Sequence, residues 1–299
     1  MGMLKYLGLF FVVGACTSTQ PERSDLQDGA FLAASYNRER DELDATLRSV
    51  DESAGEGSLQ NIVRKDFYLP PQQLRGLNKR AEAARLKLSQ QSVADADSLR
   101  VLAIEAIVEG RPEQVQGFVS LAKSKRARRN LTGDDQLLLG IASFMLGDTL
   151  AAKRLLTEAA GSPSVSSIAK ANMGLIAMRH GSFVEALEMF TQAESAEPKN
   201  SRYMHMVAES AHMARKHSRS VEVYRKIIAR DPNDFLARYN LGLVYHYGLR
   251  KYAEARREFM FVMDHPRAPR DMKILSDGAF ATARREEEGF QGIATTGFQ

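Results

Sequence analysis

Cysteine and unbalanced charge are both scarce in this chain of 299 residues, and each shortage excludes a class of protein. Cys16 is the single cysteine, so no disulfide framework can form within the chain. The formal net charge is only +4, which is far from the strongly basic surface that nucleic-acid binding requires. We therefore expect no nucleic-acid partner.

Motifs for catalysis and for cofactor binding are missing as well. The sequence has no phosphate-cradling glycine loop, no HExxH helix, no GxSxG elbow and no paired cysteines at metal-ligand spacing. We therefore expect no catalytic residue, no cofactor and no metal site, and we expect the function to reside in a surface. An enzyme whose site carries no motif remains an alternative.

A repeat of 34 residues is the strongest pattern that is present. Pro198, Pro232 and Pro266 are 34 residues apart, and each follows shortly after an acidic residue. Large–small pairs recur at the same spacing: Leu139-Gly140, Met173-Gly174, Val207-Ala208 and Leu241-Gly242. Two further columns keep this spacing: Ala152, Ala186 and Ser220, and Leu156, Phe190 and Tyr224. Chance prolines would not bring these columns into register, so the repeat is genuine.

The period, the large–small pair, the Ala-x3-Phe pattern and the closing proline together resemble the tetratricopeptide (TPR) repeat. The best match is 167–200, with Gly181, Ala186, Phe190 and Pro198 in the family's order. Repeats are predicted at 133–166, 167–200, 201–234 and 235–268, with a degenerate one at about 96–129. The resemblance implies an all-α fold, a TPR-like α-solenoid of stacked helical hairpins with extra N-terminal helices and a C-terminal capping helix.

The repeat columns have a physical explanation. Small residues at Gly174 and Ala186 let the two helices of a hairpin approach closely, and Gly147 and Gly181 end the first helix at no conformational cost. Two departures predict local differences. Arg215 and Ser220 replace the turn glycine and the small alanine in 201–234, which predicts a looser hairpin. The interval from Tyr245 to Ala255 is one residue longer than usual, which predicts a longer inter-helix turn.

The N-terminus has the features of an export signal. Lys5 precedes an apolar run from Tyr6 to Val13 that is too short to span a bilayer as an anchor. The residues 13–16, Val-Gly-Ala-Cys, resemble the lipobox of bacterial lipoproteins, which implies lipid attachment at Cys16. Thr17 stands where an aspartate would signal retention in the inner membrane, so the periplasmic face of the outer membrane is the expected location. A plain signal peptide with an incidental cysteine is the alternative.

These patterns predict the following organisation. The chain begins with a lipoprotein signal peptide (1–15), a flexible tether (16–29) and an N-terminal helical region (30–95). A TPR solenoid of about five repeats (96–268), a capping helix (269–288) and a tail (289–299) follow. The tail is expected either to be disordered or to dock on another chain or back into the solenoid. The basic stretch 123–129 is either a solvated helix end or a contact for an anionic partner or membrane surface.

The TPR resemblance also implies a partner-binding groove, lined by positions 2, 5, 9 and 12 of each first helix. The candidate groove residues are Leu137, Ile141, Phe144, Leu175, Met178, His205, His212, Tyr239 and His246. An apolar groove suits an amphipathic helix or an extended peptide. Alternatively, the aliphatic members pack beneath a neighbouring helix. The three histidines are expected to be polar groove lining, with a zinc site as the weaker alternative.

The layout of lipobox, tether and TPR repeats resembles TadD-type and pilotin-type lipoproteins of pilus systems. The resemblance implies a scaffold that binds protein partners while an envelope machine, a pilus or a secretion apparatus, is assembled. NlpI-type lipoproteins, which are adaptors for peptidoglycan enzymes, share the layout and provide the alternative. The oligomeric state is not predicted.

Overall fold

The computed structural model describes residues 67–89, 95–125 and 130–296. These ranges contain thirteen α-helices and no strand, so the prediction of an all-α, TPR-like solenoid of helical hairpins is confirmed. The predicted signal peptide, Cys16, the tether and most of the N-terminal helical region lie outside the described residues. So do 126–129 of the basic stretch.

Contacts divide the described chain into two compact units. The N-terminal unit comprises Lys65–Ile176 and Gln192–Glu197, and the C-terminal unit comprises Ala177–Thr191 and Pro198–Gln299. Two helices contribute residues to both units: α7 (Ser166–Arg179) and α8 (Phe183–Ala196).

The N-terminal unit is built from two hairpins preceded by one short helix and one of full length. Its helices are α1 (Pro71–Leu74), α2 (Leu77–Ser89), α3 (Ala96–Val108), α4 (Glu113–Ser124), α5 (Gly133–Met145), α6 (Thr149–Ala160) and the first part of α7. Helices α3 and α4 form one hairpin and α5 and α6 the next, while α2 packs on α3. A salt bridge from Arg85 of α2 to Glu105, which is buried on α3, strengthens that contact.

Side-chain caps and one close backbone approach define the α5–α6 hairpin. Thr132 accepts a hydrogen bond from the backbone N–H of Asp135, and the Asp135 carboxylate accepts one from Thr132, which together form a capping box at the start of α5. A Cβ atom at Gly140 would lie 2.9 Å from Cγ of Leu156 on α6. The missing side chain of Gly140, the small member of the large–small pair, therefore leaves room for Leu156.

The C-terminal unit continues the hairpins and ends in a long helix. It contains part of α8, then α9 (Ser201–Met213), α10 (His217–Arg230), α11 (Phe235–Leu243), a π-helical turn (Val244–Gly248), α12 (Tyr252–Asp264) and α13 (Arg270–Thr296). Helix α13 packs on α12 and α11, as a capping helix would. It extends beyond the predicted end at residue 288, because residues 289–296, expected to be part of the tail, continue the helix.

Left-handed residues end the first helix of successive hairpins. Gly147, Gly181 and Arg215 have φ of +85°, +73° and +58°, at a spacing of 34 residues, and Arg250 follows 35 residues later with +52°. In the first three cases the next residue donates its N–H to the carbonyl five residues before it, as in Asp148 to Ser143 at 2.9 Å. The same geometry is thus kept where arginine replaces glycine.

Two local predictions for the last hairpins were wrong. The extra residue between Tyr245 and Ala255 does not lengthen the inter-helix turn. It is taken up by the π-helical turn, where Leu249 donates to the carbonyl of Val244 at 3.1 Å. The hairpin containing Ser220 is not loose either, because Ser220 is fully buried and its hydroxyl donates to the carbonyl of Ala208 at 2.7 Å.

Candidate functional site

The groove residues of the N-terminal unit divide into buried and accessible side chains. Leu137 and Ile141 on α5 are 1% and 2% exposed, so they offer almost no area to a partner. Phe144, at the end of α5, and Leu175, on α7, are half-buried. The alternative of packing within the fold therefore describes Leu137 and Ile141. Phe144 and Leu175 remain as candidates for contact.

The candidates of the C-terminal unit divide in the same way. Met178, Tyr239 and His246 are at most 5% exposed. Burial raises the pKa of the Tyr239 phenol above its usual range, and among the described residues its hydroxyl has no hydrogen-bond partner. His205 and His212, both on α9, are half-buried and keep part of their surface accessible.

His205 forms a hydrogen bond with Asp234, the residue that caps the start of α11. Its Nε2 lies 2.8 Å from Oδ2 of Asp234, whose Oδ1 accepts the backbone N–H of Ala237 and so caps α11. Burial alone would raise the pKa of Asp234, but the hydrogen bond and charge of His205 outweigh it and leave that pKa below its ordinary value. The ring of Tyr224 meets the imidazole edge-on, with centroids 6.1 Å apart. His205 therefore connects α9 to the start of α11.

His212 forms a close pair with His217 at the turn between α9 and α10. The two Nδ1 atoms are 3.0 Å apart, which requires one to carry a proton and donate while the other accepts. Burial, together with the neighbouring His217, lowers the pKa of His212 to about 4. Burial and Arg215 lower the pKa of His217 too. A Cβ at Gly248 would lie 2.6 Å from Nδ1 of His217, so only glycine leaves room for that ring.

His246 is covered by the capping helix. It lies in the π-helical turn with its side chain fully buried, and its Nε2 is 2.9 Å from the Glu286 carboxylate on α13. Tyr247 stacks on the imidazole at a centroid distance of 4.0 Å. Burial lowers the pKa of His246, and Glu286 offsets part of that shift. The structure thus uses this predicted groove residue to hold α13.

The three histidines considered as zinc ligands do not share a site in this arrangement. His205 pairs with Asp234, His212 with His217, and His246 with Glu286. Within the ranges that the structure describes, no group of three His, Cys, Asp or Glu side chains is arranged to hold a metal ion.

One contact on a predicted groove face involves a residue that sequence reasoning missed. Asn172 of α7, 2% exposed, accepts the N–H of Tyr68 at 2.7 Å and donates to the carbonyl of the same residue at 2.8 Å. Asn172 and Leu175 are three residues apart and so lie on one face of α7. The available signal was an asparagine inside an apolar helix, where its amide requires partners.

The comparisons with known proteins agree with this architecture. Two tetratricopeptide-repeat family models match the chain, one over residues 171–235 and the other over 223–257. The predicted TPR repeats are confirmed in that part of the chain.

A solved structure gives the same fold. The chain is similar to one in the crystal structure of the APC/C hetero-tetramer Cut9-Hcn1, with a TM-score of 0.51 and 17% sequence identity. The match covers 69% of this chain and 40% of that one, and at this identity it shows the fold alone. Among curated proteins the search finds no match. No helix in the described ranges has the length and apolar character needed to cross a membrane.

Proposed function

We propose that this chain is a non-enzymatic scaffold that binds protein partners through the groove faces of its TPR hairpins. The observation that carries this proposal is the partial exposure of Phe144, Leu175, His205 and His212 on first helices of the hairpins. Phe144 and Leu175 supply apolar area in the N-terminal unit, and the partly exposed rings of His205 and His212 supply surface in the C-terminal unit. Apolar area on a groove face suits an amphipathic helix or an extended peptide.

A more specific proposal concerns the cellular location of the chain and the process in which it takes part. We propose that Cys16 is lipidated and anchors the chain to the periplasmic face of the outer membrane, where it supports assembly of a pilus or a secretion apparatus. The support is the lipobox-like sequence at 13–16 and the layout shared with TadD-type and pilotin-type lipoproteins. A role as an NlpI-like adaptor for peptidoglycan enzymes is the second candidate, because that group shares the layout.

Partner capture with matched variants tests the scaffold function. Phe144→Ala combined with Leu175→Ala removes apolar area from the predicted contact residues. Leu150→Ala removes a leucine that is 84% exposed outside the groove positions and serves as the control. Loss of a binding hot spot typically costs at least about 2 kcal/mol, or roughly thirtyfold in affinity. The double variant should lose partners that the wild type and Leu150→Ala retain in a pull-down from solubilised membranes. Equal recovery by all three, with circular dichroism unchanged, would contradict the proposal.

The identity of the captured proteins separates the two candidate roles. Pilins, pilus ATPases or secretion components would support the first, and cell-wall hydrolases would support the second.

The lipid anchor is tested separately, by labelling with a palmitate analogue. The wild type should be labelled and should sediment with membranes, whereas Cys16→Ser should do neither. Equal membrane association of the two forms would exclude Cys16 as the anchor.

A further inference from the structure

We propose that two adjacent turns of the C-terminal unit form a basic patch that docks on an anionic phospholipid surface. The patch consists of Arg215 and Lys216, between α9 and α10, and of Arg250 and Lys251, between the π-helical turn and α12. This role goes beyond the proposed scaffold function, because the patch lies outside the predicted groove positions and its ligand is a lipid surface. It shares with that function only the proposed anchor at Cys16, which holds the chain near a bilayer.

The contact between His217 and Gly248 brings the two turns together. A Cβ atom at Gly248 would lie 2.6 Å from Nδ1 of His217, so the imidazole packs directly on the backbone of the next turn. His217 directly follows Lys216, and Gly248 precedes Arg250 by two residues. Two Arg-Lys pairs that are 35 residues apart in sequence are therefore neighbours in the fold.

The charges of the basic patch are exposed and uncompensated. All four residues are exposed, and within the described ranges none of them forms an ion pair. By contrast, Arg219 and Lys226 on α10 both pair with Glu222. The segments 213–219 and 247–253, which contain the two turns, have no acidic residue. The four positive charges therefore create a local field that attracts anions.

Two carboxylates of α13 lie within electrostatic reach of the second turn, but both are already bound. Burial raises the pKa of Tyr252, and Glu286 and Glu287 add to this shift while Arg250 opposes it. Glu286 is bound to the buried histidine of the π-helical turn, and Glu287 to an arginine of α12. Each of these carboxylates therefore has a partner outside the basic patch.

The arginines of the patch stand where other hairpins have a residue better suited to the turn. Gly147 and Gly181 occupy the equivalent positions of the two preceding hairpins. Glycine adopts the left-handed conformation freely, whereas Arg215 and Arg250 adopt it, with φ of +58° and +52°, against the steric repulsion of their Cβ atoms. The fold would therefore be better served by glycine at both positions.

The lysines of the patch are equally unfavourable for the fold. Asp148, at the equivalent position of an earlier hairpin, caps α6 by accepting the N–H of Ala151. Lys216 and Lys251 precede α10 and α12 without any side-chain cap bond, and their charge has the sign that the helix dipole disfavours at this end. Residues that oppose the fold at two successive turns are expected where they serve binding.

The way in which the charges are presented determines the kind of ligand. They are carried by long, exposed side chains on turns, and such charges attract anions over a screening length of about 10 Å at about 0.1 M salt. This attraction requires no fixed hydrogen-bond geometry, so it matches the mobile, closely spaced phosphates of an anionic bilayer. Each basic residue near such a surface strengthens binding roughly fivefold, so four of them together give a substantial attraction.

Vesicle binding of the purified full chain tests the proposal. Vesicles of phosphatidylglycerol and phosphatidylcholine in equal parts are compared with vesicles of phosphatidylcholine alone by co-sedimentation. Every protein in the series carries Cys16→Ser, so that no lipid anchor contributes. Binding to the anionic vesicles should be at least about tenfold stronger than to the neutral ones. This excess should disappear at about 1 M salt, where the screening length falls to about 3 Å.

Two double variants remove the charges of the patch. Arg215→Gly with Arg250→Gly removes two charges and should leave the protein at least as stable as before, because glycine suits both turns. Lys216→Gln with Lys251→Gln removes the other two charges and keeps the arginines. Each double variant should weaken binding to the anionic vesicles at least about tenfold. Loss of binding by the more stable glycine variant cannot be attributed to unfolding.

Vesicle binding and partner capture are measured separately, so the two proposals can fail independently. Absence of vesicle binding, with partners still captured, would remove the role of the basic patch and keep the scaffold function. Vesicle binding that depends on the patch, without any captured partner, would do the reverse.

A charge-matched control and a second ligand complete the test. Lys199→Gln with Lys226→Gln removes the same net charge from exposed positions of the same unit, outside the two turns, and should leave vesicle binding nearly unchanged. Equal weakening by this control and by the patch variants would overturn the proposal, as would binding that does not depend on lipid charge. Binding of polyglutamate without binding of anionic vesicles would also overturn it and would assign the patch to an acidic protein segment.

Discussion

The imidazole of His246 and the carboxylate of Glu286 are joined by a hydrogen bond of 2.9 Å, in which a fully buried ring meets a side chain that is 48% exposed. The bond spans 40 residues of sequence and attaches α13 to the π-helical turn of the last hairpin. A second contact, from Arg256 of α12 to Glu287 at 2.8 Å, reinforces the attachment. The capping helix is therefore held by polar contacts at its partly exposed edge.

Glu286→Ala should destabilise the C-terminal unit. The substitution leaves the buried Nε2–H of His246 without an acceptor, and such a group costs about 1–3 kcal/mol. Glu288→Ala is the matched control on the same helix, because its salt bridge to Arg284 is exposed and solvent screening leaves it little effect on stability. Urea unfolding should separate the two variants. Equal losses would show that the contact between His246 and Glu286 contributes nothing specific.

Gly242→Ala should also destabilise, through crowding. The added Cβ would lie 2.4–2.8 Å from the ring of Phe259, and overpacking of this kind costs about 1–3 kcal/mol. Gly117→Ala provides a control of opposite sign. It lies inside α4, and no atom of the described residues would come within 4 Å of a Cβ, so the better helix propensity of alanine should add about 0.5–1 kcal/mol. A melting temperature that Gly242→Ala leaves unchanged would be inconsistent with the packing of α11 against α12.

Arg215→Gly should stabilise the chain. The left-handed conformation of Arg215, with φ of +58°, costs a residue with a side chain about 1–2 kcal/mol, and glycine adopts it freely. Part of this gain is lost to the greater entropy of the unfolded chain, so an increase of about 0.5–1 kcal/mol is expected. Gly147→Ala tests the reverse at the equivalent turn, where a Cβ would meet no atom of the described ranges within 4 Å. Thermal unfolding should move in opposite directions for the two variants. Destabilisation by Arg215→Gly would argue against the left-handed turn.

His212 should make stability depend on pH. Its pKa is about 4 in the folded protein and 6.5 in the unfolded chain, so the unfolded state binds the proton first as the pH falls. The stability that depends on a neutral His212 is therefore fully present above pH 6.5. It declines between pH 6.5 and 4, and about 2 kcal/mol is lost at pH 5. His212→Gln should remove this part of the slope. Urea titrations at pH 7 and pH 5 provide the measurement, and an unchanged slope in His212→Gln would contradict the burial of that ring.

Local sequence was sufficient to predict the hairpins. Pro198 and Pro232, the large–small pairs and Gly147 each report on helix ends and helix contacts within one repeat, where spacing and residue size determine the geometry. The left-handed Arg215 and Arg250 were not predicted as such, because an arginine gives no sign of that conformation. The π-helical turn was missed for a similar reason, since an extra residue can be placed in a turn or within a helix.

Accessibility of the groove could not be predicted from the repeat. Whether a first-helix residue faces solvent depends on segments far away in sequence, as Tyr68 at Asn172 and Glu286 at His246 illustrate. The repeat pattern assigns Phe144 and Ile141 to the same groove, yet the structure leaves the first half-buried and covers the second.

The central claim, that partners contact the groove face of the hairpins, is tested most directly by site-specific photo-crosslinking. A photoreactive amino acid replaces Leu175 in one variant and Arg154, which is 69% exposed at the side chain and lies on the second helix of a hairpin, in another. Both variants are illuminated in cells that produce them in place of the wild type. The account predicts a discrete protein adduct from position 175 and none from position 154. Adducts of the same protein from both positions, or from position 154 alone, would contradict it.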